Sequence, residues 1–252
     1  MRRLASLSAV LGALVVHQAQ ADSRQSTYSL MSPSIQAMQN DMSQNPALFS
    51  IMDGEALWKK NAVANDRACA SCHGDVKQSM RGVFATFPKN VQGTLVNLEA
   101  QINRCRTNRQ GLVAFPYESK ELLALSSLIA HQSRGMPIQA SKDPKSQGDL
   151  MTGKALYFKR MGQLNLSCAQ CHDQRPGSKL AGVTIPQAHP TGYPIYRLEW
   201  QSMGSLQRRL RNCLSGVRAE LYAFGSAELT QIELYLMHRA DGMTIESPGV
   251  RP

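Results

Sequence analysis

Cys69-Ala70-Ser71-Cys72-His73 and Cys168-Ala169-Gln170-Cys171-His172 are two copies of one pattern, C-x-x-C-H. That spacing lets two thiols bond covalently to the vinyl groups of one haem, while the adjacent histidine becomes an axial ligand of its iron. One copy alone is also compatible with a zinc half-site. Two copies, each followed by a single further cysteine (Cys105 and Cys213), specify a chain with two covalently bound haem c groups. Cys69, Cys72, Cys168 and Cys171 are then the attachment points, and His73 and His172 the first axial ligands.

The copies lie 99 residues apart, and the likeness begins before them, where Gly54-Glu55-Ala56-Leu57-Trp58 matches Gly153-Lys154-Ala155-Leu156-Tyr157. Further on, Glu121, Leu125, Leu128, His131 and Gly135 match Glu228, Ile232, Tyr235, His238 and Gly242 at an offset of 107. Apolar residues three and four apart mark each of these segments as an amphipathic helix, with the glycine as its stop. Cys105 and Cys213 are related by a shift of 108. Each half thus reads as helix, haem-attachment loop, irregular middle, arginine-rich segment with a cysteine, and closing helix. The expected fold is mostly α, two tandem cytochrome c-like domains related by internal duplication, with long irregular loops. The domains are expected over residues 51–140 and 149–252, joined by a polar linker from Ser141 to Gly148. Residues 22–50, rich in Ser, Gln, Met and Pro, read as an extended or weakly helical arm wrapping the second domain or a partner. Thr184 to Tyr196, carrying Pro186, Pro190 and Pro194, reads as a loop.

Met1-Arg2-Arg3, the apolar run from Leu4 to Val16 and Ala19-Gln20-Ala21 together read as a secretory leader over residues 1–21, cut after Ala21. The run is shorter than the roughly 18–20 apolar residues of a membrane span, and no later stretch approaches that length. The expected compartment is a bacterial periplasm, which permits haem attachment and oxidised sulfur chemistry. The formal charge of +10, lowered by two when Arg2 and Arg3 leave, favours anionic partners. Nucleic acid is excluded by export and by the lack of a stacking-aromatic motif, leaving an acidic protein or a small oxyanion.

The second axial position has several candidates. Met136 and Met243 are equivalent in the repeat, as are His131 and His238, and core packing is the competing reading for all four. Cys105 and Cys213 are thiolate ligands, a disulfide or buried thiols. Each occupies the same place in its own repeat, and Arg104, Arg106, Arg208, Arg209 and Arg211 nearby favour thiolate. The cluster Arg208, Arg209, Arg211 and Arg218 is either a solvated helix face or an oxyanion site whose planar forks bind sulfonate-like oxygens in pairs.

These residues resemble the SoxA family of cytochromes over nearly the whole mature chain. The resemblance rests on both C-x-x-C-H copies, on Arg209-Leu210-Arg211-Asn212-Cys213, on Leu234-Tyr235-Leu236 with Arg239-Ala240-Asp241-Gly242, and on Glu246-Ser247-Pro248-Gly249-Val250-Arg251. It implies that Cys105 and Cys213 are the distal ligands, giving both irons histidine and thiolate. It further implies that Cys213 carries an extra sulfur as a persulfide nucleophile at the mouth of a positive channel, with Arg209 and Arg239 holding the substrate. The implied activity is L-cysteine S-thiosulfotransferase: thiosulfate is joined to a cysteine of the carrier SoxYZ. Electrons then pass to a heterodimeric SoxX-type monohaem cytochrome c and a small acceptor cytochrome c. The first haem is expected to be structural or a remnant, and His238 departs from the large aromatic usual in the family. Three rivals stand beside this reading: a plain dihaem electron carrier, a tetrathionate-forming thiosulfate dehydrogenase, and a dihaem peroxidase with an open iron position.

Overall fold

The computed structural model describes residues 22–62, 66–180 and 182–252; the leader expected over residues 1–21 lies outside them. None of the described helices is long and apolar enough to cross a membrane.

A 3-10 turn (Thr27–Leu30) and α1 (Pro33–Asn40) open the described chain. The first half follows as α2 (Ala47–Lys59), α3 (Cys69–His73), α4 (Val76–Ser79), the hairpin β1 (Lys89–Val91) and β2 (Thr94–Val96), α5 (Leu98–Gln110) and α6 (Lys120–His131). The second half is α7 (Gln147–Phe158), α8 (Cys168–His172), the hairpin β3 (Lys179–Leu180) and β4 (Val183–Thr184), β5 (Ile195–Arg197), β6 (Ser202–Gly204), α9 (Leu206–Gly216), α10 (Ala227–Arg239) and β7 (Gly249–Arg251). The fold is mostly α and the helix order repeats, as the duplication requires. Equivalent helices also start alike: the Ser119 hydroxyl accepts from Leu122 N at α6, and that of Ser226 from Leu229 N at α10.

In each half the first helix crosses the last at a glycine. A Cβ on Gly54 would overlap the Ala124 carbonyl of α6, and one on Gly153 would overlap the Gln231 carbonyl of α10. Around these crossings Ile51, Trp58, Leu125 and Leu128 form one core, and Tyr157, Ile232 and Leu236 the other.

The halves meet through the segments that follow their closing helices. Gly135 N donates to Ile245 O at 2.9 Å and Ile245 N to Met136 O at 2.9 Å; Ile138 N donates to Met243 O at 2.8 Å and Gly242 N to Ile138 O at 2.9 Å. Antiparallel pairing of equivalent segments relates the halves by an approximate two-fold axis. Ala85, Ile138, Met237, Ala240 and Ile245 are buried beside it, with Met243 packed on them. Met136 and Met243 therefore serve this junction. Gly135 and Gly242, at φ +79 and +82, do not end the helices directly. The helices stop at His131 and Arg239, and the glycines turn the chain into the junction.

Four boundaries differ from expectation: Ala47 to Ser50 of the expected arm open α2, and Thr184 of the expected loop ends β4. Gln147 and Gly148 belong to α7, so the linker is shorter than its polar composition suggests. Ile195 and Tyr196 belong to β5, because Pro194 only precedes the strand and removes no ladder donor. β5 pairs antiparallel with β6 and parallel with β7, bringing the C-terminal tail beside the proline-rich loop. The N-terminal arm closes over this sheet: Val250 N donates to Gln39 Oε1 at 3.0 Å, Asn45 Nδ2 to Pro248 O at 3.2 Å, and His189 Nδ1 to Gln25 O at 2.9 Å.

Glu99 of α5, Glu118 and Glu233 of α10 face one another between the halves, and Glu233 is 6% exposed. Burial raises all three carboxyls above their ordinary range, Glu99 to about 7. They bind protons more tightly folded than unfolded. The stabilising contribution of Glu99 is complete below the ordinary value of 4.5 and is lost as pH rises through about 7, and those of Glu118 and Glu233 likewise fall with rising pH. The melting temperature should fall with rising pH across that window, and Glu99→Gln should flatten the slope. Gly153→Ala, which forces a methyl into backbone, should cost about 3 kcal/mol in urea unfolding.

Candidate haem and sulfur site

A cavity of about 870 Å³ lies in the first half, lined by Cys69, Cys72 and His73 and by Cys105 of α5. Leu57, Phe87, Leu98, Leu125 and Ile129 make much of the remainder apolar. The volume falls in the range of about 300–1,000 Å³ typical of cofactor sites. Two thiols for attachment, an imidazole and a further sulfur are a donor set that fits one haem c.

In the second half the corresponding residues are Cys168, Cys171, His172 and Cys213. His172 Nδ1 lies 2.7 Å from Pro186 O; a carbonyl only accepts, so Nδ1 carries the proton and Nε2 is left for a metal. Burial pulls the pKa of His172 below its ordinary value, favouring the neutral ligand form. The Cys168 thiol is pushed up to about 11, first by burial and next by Cys213 of α9, which lies nearby. Leu206 and Leu210 of α9 pack on Tyr157, Ala169, Ile232 and Leu236 around them.

An aromatic from the first helix of each half pins the residue after the histidine. Trp58 Nε1 donates to Gly74 O at 3.0 Å, and the Tyr157 hydroxyl donates to Asp173 Oδ1 at 2.8 Å. Arg239 adds an ion pair to Asp173 at 2.7 Å, stacks over the Tyr157 ring at 4.8 Å, and donates to Gln187 O at 3.3 Å. Its contacts lie on the side of His172, not at Cys213.

The arginine cluster is divided by its surroundings. Arg208 lies over Trp200 at 4.2 Å and 3.9 Å from Glu118. Arg211 lies over Phe224 at 4.5 Å and donates to Tyr222 O. The Arg209 guanidinium makes no hydrogen bond or ion pair among the described residues. It lines a second cavity of about 290 Å³ with Tyr193, Arg197, His189, Arg251 and Met31 of the arm. Arg197 and Arg251 are only 7% and 5% exposed, each with one carboxylate at 3.2 Å, Glu199 and Glu246 respectively. Arg209 and Cys213 stand four apart on α9, on one face of the helix.

Sequence reading did not single out Tyr193, Arg197 or Arg251 as site residues, since only the pairing of β5 with β7 assembles them. His131 and His238 are placed away from either attachment helix: His238 Nε2 bonds Ser141 O at 2.7 Å, and His131 does not line the first cavity. Cys105 and Cys213 sit in separate halves, each beside its own attachment helix.

Two C-x-x-C-H helices, each with a cysteine-bearing helix near it in a duplicated helical fold, define a tandem cytochrome c. The profile of the family described as SoxA/TsdA, cytochrome c domain, matches residues 53–138 and again 152–245. The chain belongs to the SoxA family. It is 34% identical over 232 residues, 91% of its own length and 81% of the relative's, to the L-cysteine S-thiosulfotransferase subunit SoxA of Rhodovulum sulfidophilum. It is 35% identical over 214 residues, 84% of its length and 75% of the relative's, to the protein of the same name from Pseudaminobacter salicylatoxidans. Its fold matches a chain in the crystal structure of SoxXA from P. pantotrophus with a TM-score of 0.87 and 32% identity, covering 91% of this chain and 87% of that one.

Tyr157→Phe leaves Asp173 only Arg239 as a strong partner. It should destabilise the protein by about 1.5 kcal/mol in denaturant unfolding, the scale of one hydrogen bond to a charged group.

Proposed function

We propose that the chain is an L-cysteine S-thiosulfotransferase subunit that joins thiosulfate to a cysteine of a SoxYZ-type carrier protein in the periplasm. It works as a heterodimer with a SoxX-type monohaem cytochrome c. The observation that carries this reading is Arg209: a guanidinium without a partner among the described residues, one helical turn from Cys213, in a cavity that also holds two buried arginines. The relatives' shared name and the match to a SoxXA structure support it. The apolar run and small-residue end of residues 1–21 support export.

Each half suits one haem c, held by Cys69, Cys72, His73 and Cys105 in the first and by Cys168, Cys171, His172 and Cys213 in the second. When bound, haem supplies one-electron redox chemistry beside a coordinated sulfur. The protein's residues do the rest. Arg209 takes sulfonate oxygens of the thiosulfate dianion in its fork, and the basic surroundings raise local anion concentration. Cys213, carrying the extra sulfur of a persulfide, presents sulfur to the substrate one turn away. The terminal sulfur of thiosulfate and the carrier's cysteine sulfur become joined by one S–S bond. The carrier thiol gives up its proton, and two electrons leave singly for the partner cytochrome and then a small acceptor cytochrome c. Arg239 contributes at one remove: its pair with Asp173 holds the chain next to His172.

In this reading the unit of residues 149–252 carries the chemistry and that of 51–140 is structural, while the arm of 22–50 walls the cavity. Turnover of thiosulfate with carrier and cytochrome c tests it. Cys213→Met should abolish carrier-dependent turnover, and Arg209→Gln should raise the KM for thiosulfate at least about tenfold, the loss of one charged hydrogen bond. Cys69→Ala should spare most activity. Undiminished turnover in Cys213→Met would overturn the assignment, and tetrathionate formed without carrier would favour the dehydrogenase reading.

A further inference from the structure

The duplication provides an internal comparison of the two sulfur sites. Cys105 on α5 and Cys213 on α9 differ by 108 positions, and the same shift sets Gln101 where the second half has Arg209. Both residues stand one turn before their cysteine. Gln101 Nε2 lies 3.5 Å from Cys105 Sγ, with the amide N–H donating to sulfur. Gln101 and Cys105 both line the 870 Å³ cavity.

Other features direct that amide at the sulfur. Gln101 Oε1 is buried with no partner among the described residues, so no donor there competes for the side chain. The arginines flanking Cys105 are engaged elsewhere. Arg106 stacks on Phe115 at 3.6 Å and donates to Val113 O at 2.6 Å, while Arg104 donates to Val91 O at 3.3 Å and Gln92 Oε1 at 2.9 Å. A neutral donor, not a guanidinium, is thus what meets this sulfur. Arg209 makes no corresponding bond to Cys213 and faces the smaller cavity instead.

We propose that Gln101 is a positioning residue for the first haem, donating an amide hydrogen bond to the sulfur of Cys105 and so tuning the iron that this sulfur binds. The inference rests on the proposed ligation of that iron by Cys105. A hydrogen bond to a ligand sulfur draws charge from it, weakens its donation to ferric iron and raises the reduction potential. The exchange of amide for guanidinium one turn before the cysteine therefore makes the first centre a capped ligand and leaves the second sulfur open.

Redox titration and low-temperature spin resonance of the purified dihaem protein test this, with Cys213→Met identifying which signals belong to the second haem. Gln101→Leu removes the donor at similar bulk. It should shift the first haem to a more negative potential, change its low-spin signal and leave the second haem unmoved. In the wild type, a proton close to the first thiolate should be lost from double-resonance spectra on transfer to D2O. That measurement decides the matter should Gln101→Leu fail to take up haem. A first haem without any thiolate signature would sink the ligation itself. A thiolate-bound first haem with no exchangeable proton near sulfur, or a potential unmoved in folded Gln101→Leu, would overturn the role of Gln101 alone.

Discussion

The close crossing of first and last helices in each half is the constraint on which the rest of the structure depends. Two helix backbones approach this nearly only where one side chain is a hydrogen, at Gly54 against α6 and Gly153 against α10. Four residues further along the same helix stands the aromatic that pins the residue after the haem-binding histidine, Trp58 in one half and Tyr157 in the other. The helix that packs closely on the closing helix thus also carries the aromatic that holds the chain next to His73 or His172.

The two halves have kept this frame and diverged at what it holds. Trp58 bonds a backbone carbonyl, whereas Tyr157 bonds a carboxylate that also recruits Arg239. An indole nitrogen only donates, and a backbone carbonyl satisfies it. A phenol has the same donor and can meet a charged acceptor, which then attracts a cation. The first half therefore ends in a neutral contact and the second in a three-membered polar chain, beside the histidine whose partner cysteine lies near the cationic cavity.

Much of the frame was legible in the sequence because its determinants are local. The C-x-x-C-H spacing, the glycine-to-aromatic run before it and the periodicity of the closing helices each operate within one or two helical turns. What escaped depends on contacts between distant segments. Arg197 and Arg251 share a cavity only because β5 and β7 pair in parallel, across more than fifty residues of chain. The run Arg208, Arg209 and Arg211 looked like one cluster, yet Trp200 and Phe224 each remove one member. Gly135 and Gly242 were read as helix stops because their left-handed backbone is a local property; that Gly135 bonds Ile245 and Gly242 bonds Ile138 across the junction is not.

The arm's contact with β7 has a consequence for biosynthesis. Gln39, near the start of the described chain, bonds Val250 and Arg251 near its end, and residues of the arm form part of the wall around Arg209. An early segment thus docks on a late one. The cavity around Arg209 is lined both by the arm and by Arg251, so it cannot be enclosed until both segments are present.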